Sequence, residues 1–174
     1  VYSEIGIFDD NPYIDKIYNR IDRDTYFLLI ADIISSRSHD AQTQHGAVLV
    51  RDDRIISTGY NGFPPGAPDD IIPNTRPHKY NFINHAEANA VYAAAKLGIS
   101  LEGSKLYVTG PPCHNCTKIL VTLGITNWII GDRQHACSDI EKQMSDFWIN
   151  HYNVSITEKN LYECWQRFYS LRKL

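Results

Sequence analysis

The sequence predicts an α/β fold, and three observations predict it. Short apolar runs of strand length alternate with segments of helical period along most of the chain. The first two strand-like runs are joined by a four-residue polar turn, which reads as a hairpin. The later runs are separated by helical stretches, a spacing that favours parallel neighbours after the hairpin. With 174 residues and 43% hydrophobic content the chain is about one domain long and can bury a full core, so residues 1–174 are expected to form a single domain.

Residues 13–36 place Ile14, Ile17, Tyr18, Ile21, Tyr26, Leu29, Ile30 and Ile33 at helical spacing. Gly46 opens a strand over residues 47–50, the Arg51-Asp52-Asp53-Arg54 turn follows, and residues 55–60 return as a second strand. Residues 61–84 are rich in Pro, Gly, Asn and Asp and read as a long loop, a kind that is often functional in compact domains. An alanine-rich helix over residues 85–97 stops at Gly98. A buried-type strand over 105–109, a helix over 113–123 ended by Gly124 and a strand over 127–130 come next. A helix over 139–150, a short strand over 152–156 and a terminal helix over 161–171 complete the order. Trp165, Phe168, Tyr169 and Leu171 in that last helix are assigned to the core or to a subunit contact, not to a base-stacking platform.

Net charge of −3 and a pI near 6.1 leave no broad basic footprint for a polynucleotide backbone, which directs attention to a small molecule. No apolar run approaches membrane length, and the acidic, mixed-charge opening of residues 1–10 does not resemble a secretory signal. The first residue is Val, so the natural start is open to processing or trimming. Four cysteines without a framework of spacings fit a reducing, cytoplasmic setting in which thiolates hold metal.

His85-Ala86-Glu87 and Pro112-Cys113-His114-Asn115-Cys116 together supply three zinc-type ligands and a carboxylate free to move protons. Catalytic zinc commonly takes three protein ligands and keeps a fourth position for water, whose pKa falls toward about 7. His85, Cys113 and Cys116 are the candidate ligands, and Glu87 the candidate proton shuttle. Either half alone is weak, since a C-x-x-C also serves structural zinc half-sites and redox pairs. A structural zinc wants a fourth ligand, yet Cys137 and Cys164 stand singly. A redox pair has no need of Pro112 and an upstream His-x-Glu. Placing His85 and Cys113 at helix N-termini favours thiolate and other anions there. His114, between the cysteines, is expected to face solvent.

The two halves together form the signature of zinc nucleobase deaminases. A wider resemblance rests on four ordered blocks. They are Arg37-Ser38-x-Asp40-x-x-x-Gln44-x-Gly46-Ala47, then Gly59-Tyr60-Asn61-Gly62-Phe63-Pro64-x-Gly66-x-x-Asp69-Asp70, then Lys79-Tyr80-x-Phe82-x-x-His85-Ala86-Glu87-x-Asn89-Ala90, then Tyr107-Val108-Thr109-x-x-Pro112-Cys113-x-x-Cys116. Over residues 37–131 the chain resembles the deoxycytidylate (dCMP) deaminases of the cytidine deaminase superfamily. Gly59-Tyr60-Asn61-Gly62 and Asn89 point to that branch, not to the tRNA adenosine branch.

The resemblance implies a three-layer α/β/α cytidine deaminase-like fold with a central mixed five-stranded sheet. It implies zinc-dependent hydrolysis of dCMP to dUMP and ammonia, supplying the precursor of dTTP, with Glu87 moving protons from water to N3 and to the departing nitrogen. Carbonyls around Gly110 and Pro111 would receive the exocyclic amine. Arg37 and Ser38 are the implied phosphate donors, and Asn61, Ala86, Asn89, Pro111 and His135 the other substrate residues. Several alternatives stay open: Asn61 is either at the nucleotide or a left-handed turn residue, and Arg37 either a phosphate donor or a solvated helix-end cation. Tyr80 and Phe82 either cover the base or anchor the loop. The family also implies a homo-hexamer activated by dCTP and inhibited by dTTP, with Mg²⁺ on the triphosphate. Asn61, Gly62, Gly66, Asp69, Asp70 and Lys96 are the effector candidates, Lys96 being equally readable as an exposed helix lysine.

Two departures from the family pattern bear on substrate choice. Pro111 stands where other members often carry Ser, and residues 132–136 lack an aromatic that several relatives place near the base. His135 is the candidate substitute; without one, the pocket is roomier and admits a 5-substituted cytosine. Rival readings are a dCTP or nucleoside deaminase, a polynucleotide deaminase and a non-catalytic nucleotide sensor, the last disfavoured by the intact Glu87.

Overall fold

The computed structural model describes residues 19–172, and its first element is helix α1 (Arg23–Ser35). The Asp22 carboxylate sets its start, accepting from the Thr25 backbone N–H at 2.8 Å and from the Thr25 hydroxyl at 2.7 Å. The single helical period expected from residue 13 is therefore broken at this cap, and its part over residues 13–18 lies outside the described residues.

Strands β1 (Gly46–Arg51) and β2 (Arg54–Tyr60) form the expected antiparallel hairpin. Its two-residue turn holds Asp52 and Asp53 at φ of 50° and 59°, left-handed geometry that suits hairpin twist and that Asp tolerates. Residues 61–84 form the long loop, with one 3₁₀ turn at His78–Asn81 and a closing bridge between Gly62 and Asn84. Next come α2 (Ala86–Lys96), β3 (Lys105–Val108), α3 (His114–Thr122), β4 (Asn127–Gly131), α4 (Asp139–His151), β5 (Ser155–Lys159) and α5 (Leu161–Ser170). Gly98 and Gly124 sit at φ of 66° and 71° just past α2 and α3, the left-handed stops their sequence positions suggested.

The sheet order is β2-β1-β3-β4-β5. β4 runs parallel to both β3 and β5, the parallel neighbours expected after the hairpin, and β3 joins the hairpin strand β1 antiparallel, which makes the sheet mixed. The crossover through α2 does connect parallel strands, β2 and β3; β1 simply lies between them. The strand expected over residues 152–156 begins three residues later, because Tyr152 caps α4 and Asn153 reverses the chain at φ 51°.

Period-two alternation splits the core into two faces. Ala47, Leu49, Leu106, Val108, Trp128 and Ile130 meet Ala86, Ala90 and Ala94 of α2 and Leu120 and Val121 of α3. Val48, Val50, Tyr107 and Ile129 face Phe27, Leu28 and Ala31 of α1 and Leu161 and Cys164 of α5. α4 packs on α3, which completes a three-layer α/β/α architecture around a mixed five-stranded sheet. Trp165 and Phe168 pack against the α1 side of the core, and the Trp165 indole donates to Asp32 at 2.7 Å. Tyr169 stays exposed. Among the described residues no helix is long and apolar enough to cross a membrane.

The alanines of α2 let it lie close to β2, and Gly59 is the point of closest approach. A Cβ there would stand 2.3 Å from the Ala86 carbonyl oxygen and 2.4 Å from the Ala90 nitrogen. Gly59→Ala is expected to push the start of α2 off the sheet at a cost of about 2 kcal/mol or more. Because His85 immediately precedes that helix, the same variant should bind zinc more weakly; denaturation and metal titration together check it, and unchanged zinc affinity would contradict it.

Candidate active site

His85 and Cys113 are the N-cap residues of α2 and α3, both in extended backbone (ψ of 160° and 166°), and neither side chain makes a capping hydrogen bond. The two helices enter from adjacent loops, so these free side chains meet. His85 Nδ1 lies 3.3 Å from Cys113 Sγ and 3.6 Å from Cys116 Sγ, and all three potential ligand atoms fall within 4.8 Å of one another. Tetrahedral zinc with ordinary Zn–N and Zn–S bonds sets an N···S separation of about 3.6 Å, so the donor set fits zinc as it stands.

The electrostatics point the same way. The Cys113 thiol is pushed down to about 3, first by its hydrogen bond with Cys116 and then by His85, against the effect of burial. Cys116 is pushed well up by the same bond to Cys113 and by burial, so the two sulfurs share one proton. His85 is raised to about 9, foremost by its hydrogen bond to Cys113. A divalent cation takes the place of such protons, which is how metal binding comes to release them. Beside this set Glu87 is buried, and burial raises its carboxyl, opposed in part by the charge on His85.

His85, Cys113 and the Glu87 carboxyl line one cavity of about 630 Å³, within the usual range for small-molecule sites, and Cys116 lies buried directly behind them. Ala86, Asn61, Pro111 and His135 line it, as the sequence proposed, together with Tyr80 and Gly110. Gly110 is required by close approach, since a Cβ there would stand 2.0 Å from the Arg133 carbonyl oxygen and 2.9 Å from His45 Cε1. Asn61 is not among the described non-glycine residues with positive φ, which removes the left-handed turn reading.

Other sequence candidates stand elsewhere. Arg37 is exposed beyond the end of α1 and outside the cavity lining. Ser38 is buried, its hydroxyl donating to the Asn61 carbonyl at 2.6 Å, and it too is absent from the lining. Asn89 ties α2 to β2 by donating to the Tyr60 carbonyl at 2.8 Å and does not line the cavity. Phe82 is half-exposed and off the lining. His114 departs from expectation: its side chain is 21% exposed and turned to the cavity wall, 3.7 Å from Glu141, because α4 packs over the start of α3. Of the effector candidates, Gly62 bridges Asn84, and Gly66 sits at φ 85° on the exposed loop. Asp69 lies 3.9 Å from His39, Asp70 is exposed, and Lys96 is exposed at the end of α2 remote from Glu87.

Sequence reasoning gave no role to Asp40, Thr43, His45, Arg76 or Lys79, all in the lining. Asp40 and Lys79 form a buried ion pair from loops 39 residues apart, a contact no local spacing announces. His45 is held by its Nδ1, 3.1 Å from the Thr109 hydroxyl, and its Nε2 is buried without a partner among the described residues. The ring of His135 meets it edge-on at 6.0 Å between centroids.

Comparison with known proteins followed the same lines. The family description "Cytidine and deoxycytidylate deaminase zinc-binding region" matches residues 21–132. A probable deoxycytidylate deaminase of Drosophila melanogaster is 36% identical over 115 residues, covering 59% of this chain and 56% of the fly protein. The Homo sapiens deoxycytidylate deaminase is 35% identical over 118 residues, covering 63% of this chain and 65% of its own length. The chain thus spans well under the whole length of these relatives. In structure it resembles dCMP deaminase from cyanophage S-TIM5 in apo form, with TM-score 0.63, 25% identity, and 78% and 96% of the two chains covered. The same phage enzyme in complex with dCMP and dUMP superposes with TM-score 0.63 at 24% identity, over 86% and 99% of the chains.

Burial, followed by the charges of His135, Arg133 and His85, pushes His45 down to about 4 from an ordinary 6.5. A depressed folded-state pKa means that the unfolded chain takes up the proton first as pH falls. The stabilisation is whole above about 6.5 and is lost between there and about 4, by about 3 kcal/mol. Urea denaturation of wild type and His45→Gln at pH 7 and pH 4 checks this. The variant should lose less stability on acidification, and an identical loss in both would contradict it.

Proposed function

The chain belongs to the cytidine and deoxycytidylate deaminase zinc-binding family, and we propose that it hydrolyses dCMP to dUMP with release of ammonia. The observation that carries this reading is the His85, Cys113 and Cys116 set, which meets buried Glu87 at the wall of one nucleotide-sized cavity. dCMP is favoured as substrate by the deoxycytidylate deaminases among the relatives and by the phage enzyme that binds dCMP and dUMP.

Zinc, held by His85, Cys113 and Cys116, would supply a water activated near neutral pH for attack on C4 of the cytosine. Glu87 moves the protons. Its carboxylate takes one from the water and delivers it to N3, then carries the second to the departing amino nitrogen, so that ammonia leaves and the uracil carbonyl remains. Burial suits that work, because a carboxyl whose affinity for protons is raised exchanges them more readily near neutrality. Ala86 presents only a methyl group and its backbone to the base, and the Gly110–Pro111 segment offers carbonyls to the exocyclic amine.

Arg76 is proposed to take the 5′-phosphate. It is exposed at the cavity, where its guanidinium donates to the Thr43 hydroxyl at 3.0 Å, and it has no carboxylate partner among the described residues. The other cation in the lining, Lys79, is already neutralised by Asp40. Arg37 and Ser38, the donors implied by the resemblance, are not among the lining residues, which favours Arg76 for this role.

From length and apolar content we further propose a single domain over residues 1–174, from cysteine usage a cytoplasmic setting, and from the resemblance homo-hexameric assembly and a place in dTTP precursor supply. Regulation by dCTP and dTTP with Mg²⁺, at the loop carrying Gly62, Gly66, Asp69 and Asp70 and at Lys96, rests on the same resemblance.

Ammonia release from zinc-loaded protein offered dCMP, dCTP, deoxycytidine and a single-stranded oligonucleotide tests the reading; turnover of dCMP above the others is expected, and silence on dCMP would sink it. Glu87→Gln should keep its zinc and lose about 10²- to 10⁴-fold in kcat, measured with metal content on the same sample. Arg76→Ala should raise KM for dCMP by about 10- to 100-fold and leave deoxycytidine turnover unchanged, since a charge-assisted phosphate contact is lost.

A further inference from the structure

We infer that the buried Asp40–Lys79 ion pair is a positioning device that fixes the amide of Asn61 as a hydrogen-bond acceptor toward the nucleotide. The inference rests on the nucleotide reading of the cavity. Both charged side chains are 3% exposed, and Lys79 Nζ donates to Asp40 Oδ1 at 2.7 Å and to Oδ2 at 2.6 Å. Asp40 Oδ1 also accepts from the backbone N–H groups of Gln42 at 2.9 Å and Thr43 at 3.1 Å, which leaves Oδ2 for the Asn61 amide at 3.1 Å.

An ionised carboxylate only accepts, so Asn61 must turn its NH₂ toward Asp40. The second Asn61 donor goes to the Thr43 carbonyl at 2.8 Å, and Asn61 Oδ1 accepts from the His45 backbone N–H at 2.7 Å. Both donors are spent, and one Oδ1 lone pair remains on a side chain that lines the cavity. That lone pair suits a donor on the nucleotide. With the exocyclic amine assigned to the Gly110–Pro111 segment, the donor left is the sugar hydroxyl.

Stability alone gives little reason to keep such a pair, because well-packed neutral replacements of a buried ion pair are often no less stable, whereas removing one partner strands a buried charge. The double variant D40N/K79M separates the two roles. Asn at position 40 keeps an oxygen for Gln42 and Thr43 but turns an NH₂ toward the NH₂ of Asn61, which removes the acceptor that orients that amide, and Met fills the Lys79 channel without charge.

Kinetics and thermal denaturation of wild type, K79M and D40N/K79M, on dCMP and on 2′,3′-dideoxycytidine monophosphate, test this. K79M should melt well below wild type. D40N/K79M should melt within about 5 °C of wild type and keep its zinc. Its KM for dCMP should rise about 10-fold with kcat within about 3-fold, and the wild-type preference for dCMP over the dideoxy analogue should disappear. An unchanged KM and preference in D40N/K79M would overturn the inference, as would failure of that variant to fold. Wild-type protein that does not turn over dCMP at all would instead defeat the nucleotide reading itself.

Discussion

Two helix N-termini must arrive at one point with their cap side chains unspent. His85 and Cys113 each occupy the N-cap in extended backbone, the position where a Ser or Asp would ordinarily be consumed in capping. Here the side chains are free to meet, and Cys116, one turn into α3, closes the set. Their meeting depends on the sheet. β3 leads through Gly110 to α3, while α2 lies against β2 over Gly59, and at both glycines the backbone passes too close for a side chain. The chemistry of the centre is thus fixed by backbone approach before any metal arrives.

Around that centre the fold arranges charge with economy. Two helix dipoles converge with their positive ends on the sulfurs, which favours thiolate. Glu87, one residue into α2, is held in the same buried space, where desolvation favours its protonated form. Asp40, Asn61 and Lys79 in the lining, with Ser38 behind them, join the segment after α1 to the long loop after β2 through hydrogen bonds. That loop carries the outer pocket residues Arg76, Tyr80 and Ile83, so a buried polar lattice holds the substrate side of the cavity to the metal side.

Much of this was legible in the sequence where the signal is local. The Asp52-Asp53 turn, the glycine stops after α2 and α3, and the His-x-Glu and Pro-Cys-x-x-Cys spacings all act within a few residues, and each is found in the fold. Features set by distant contacts were not legible. Nothing in the strand patterns says which hairpin strand borders β3; β1 takes that place and pairs with it antiparallel. His114 was read as solvent-facing because α4, 25 residues on, was not known to cover it. Lys79 stands in a family block whose spacing says nothing of Asp40, 39 residues away, and Arg76 carries no motif; only the cavity points to it.

The claim on which the rest stands is an open three-ligand zinc centre of one imidazole and two thiolates. Zinc K-edge X-ray absorption on metal-loaded protein reads that centre without reference to any substrate. Two sulfur scatterers at about 2.3 Å, one imidazole nitrogen at about 2.0–2.1 Å and one further light-atom ligand are expected. A closed shell with a third sulfur or a second imidazole, or zinc bound without sulfur, would contradict it.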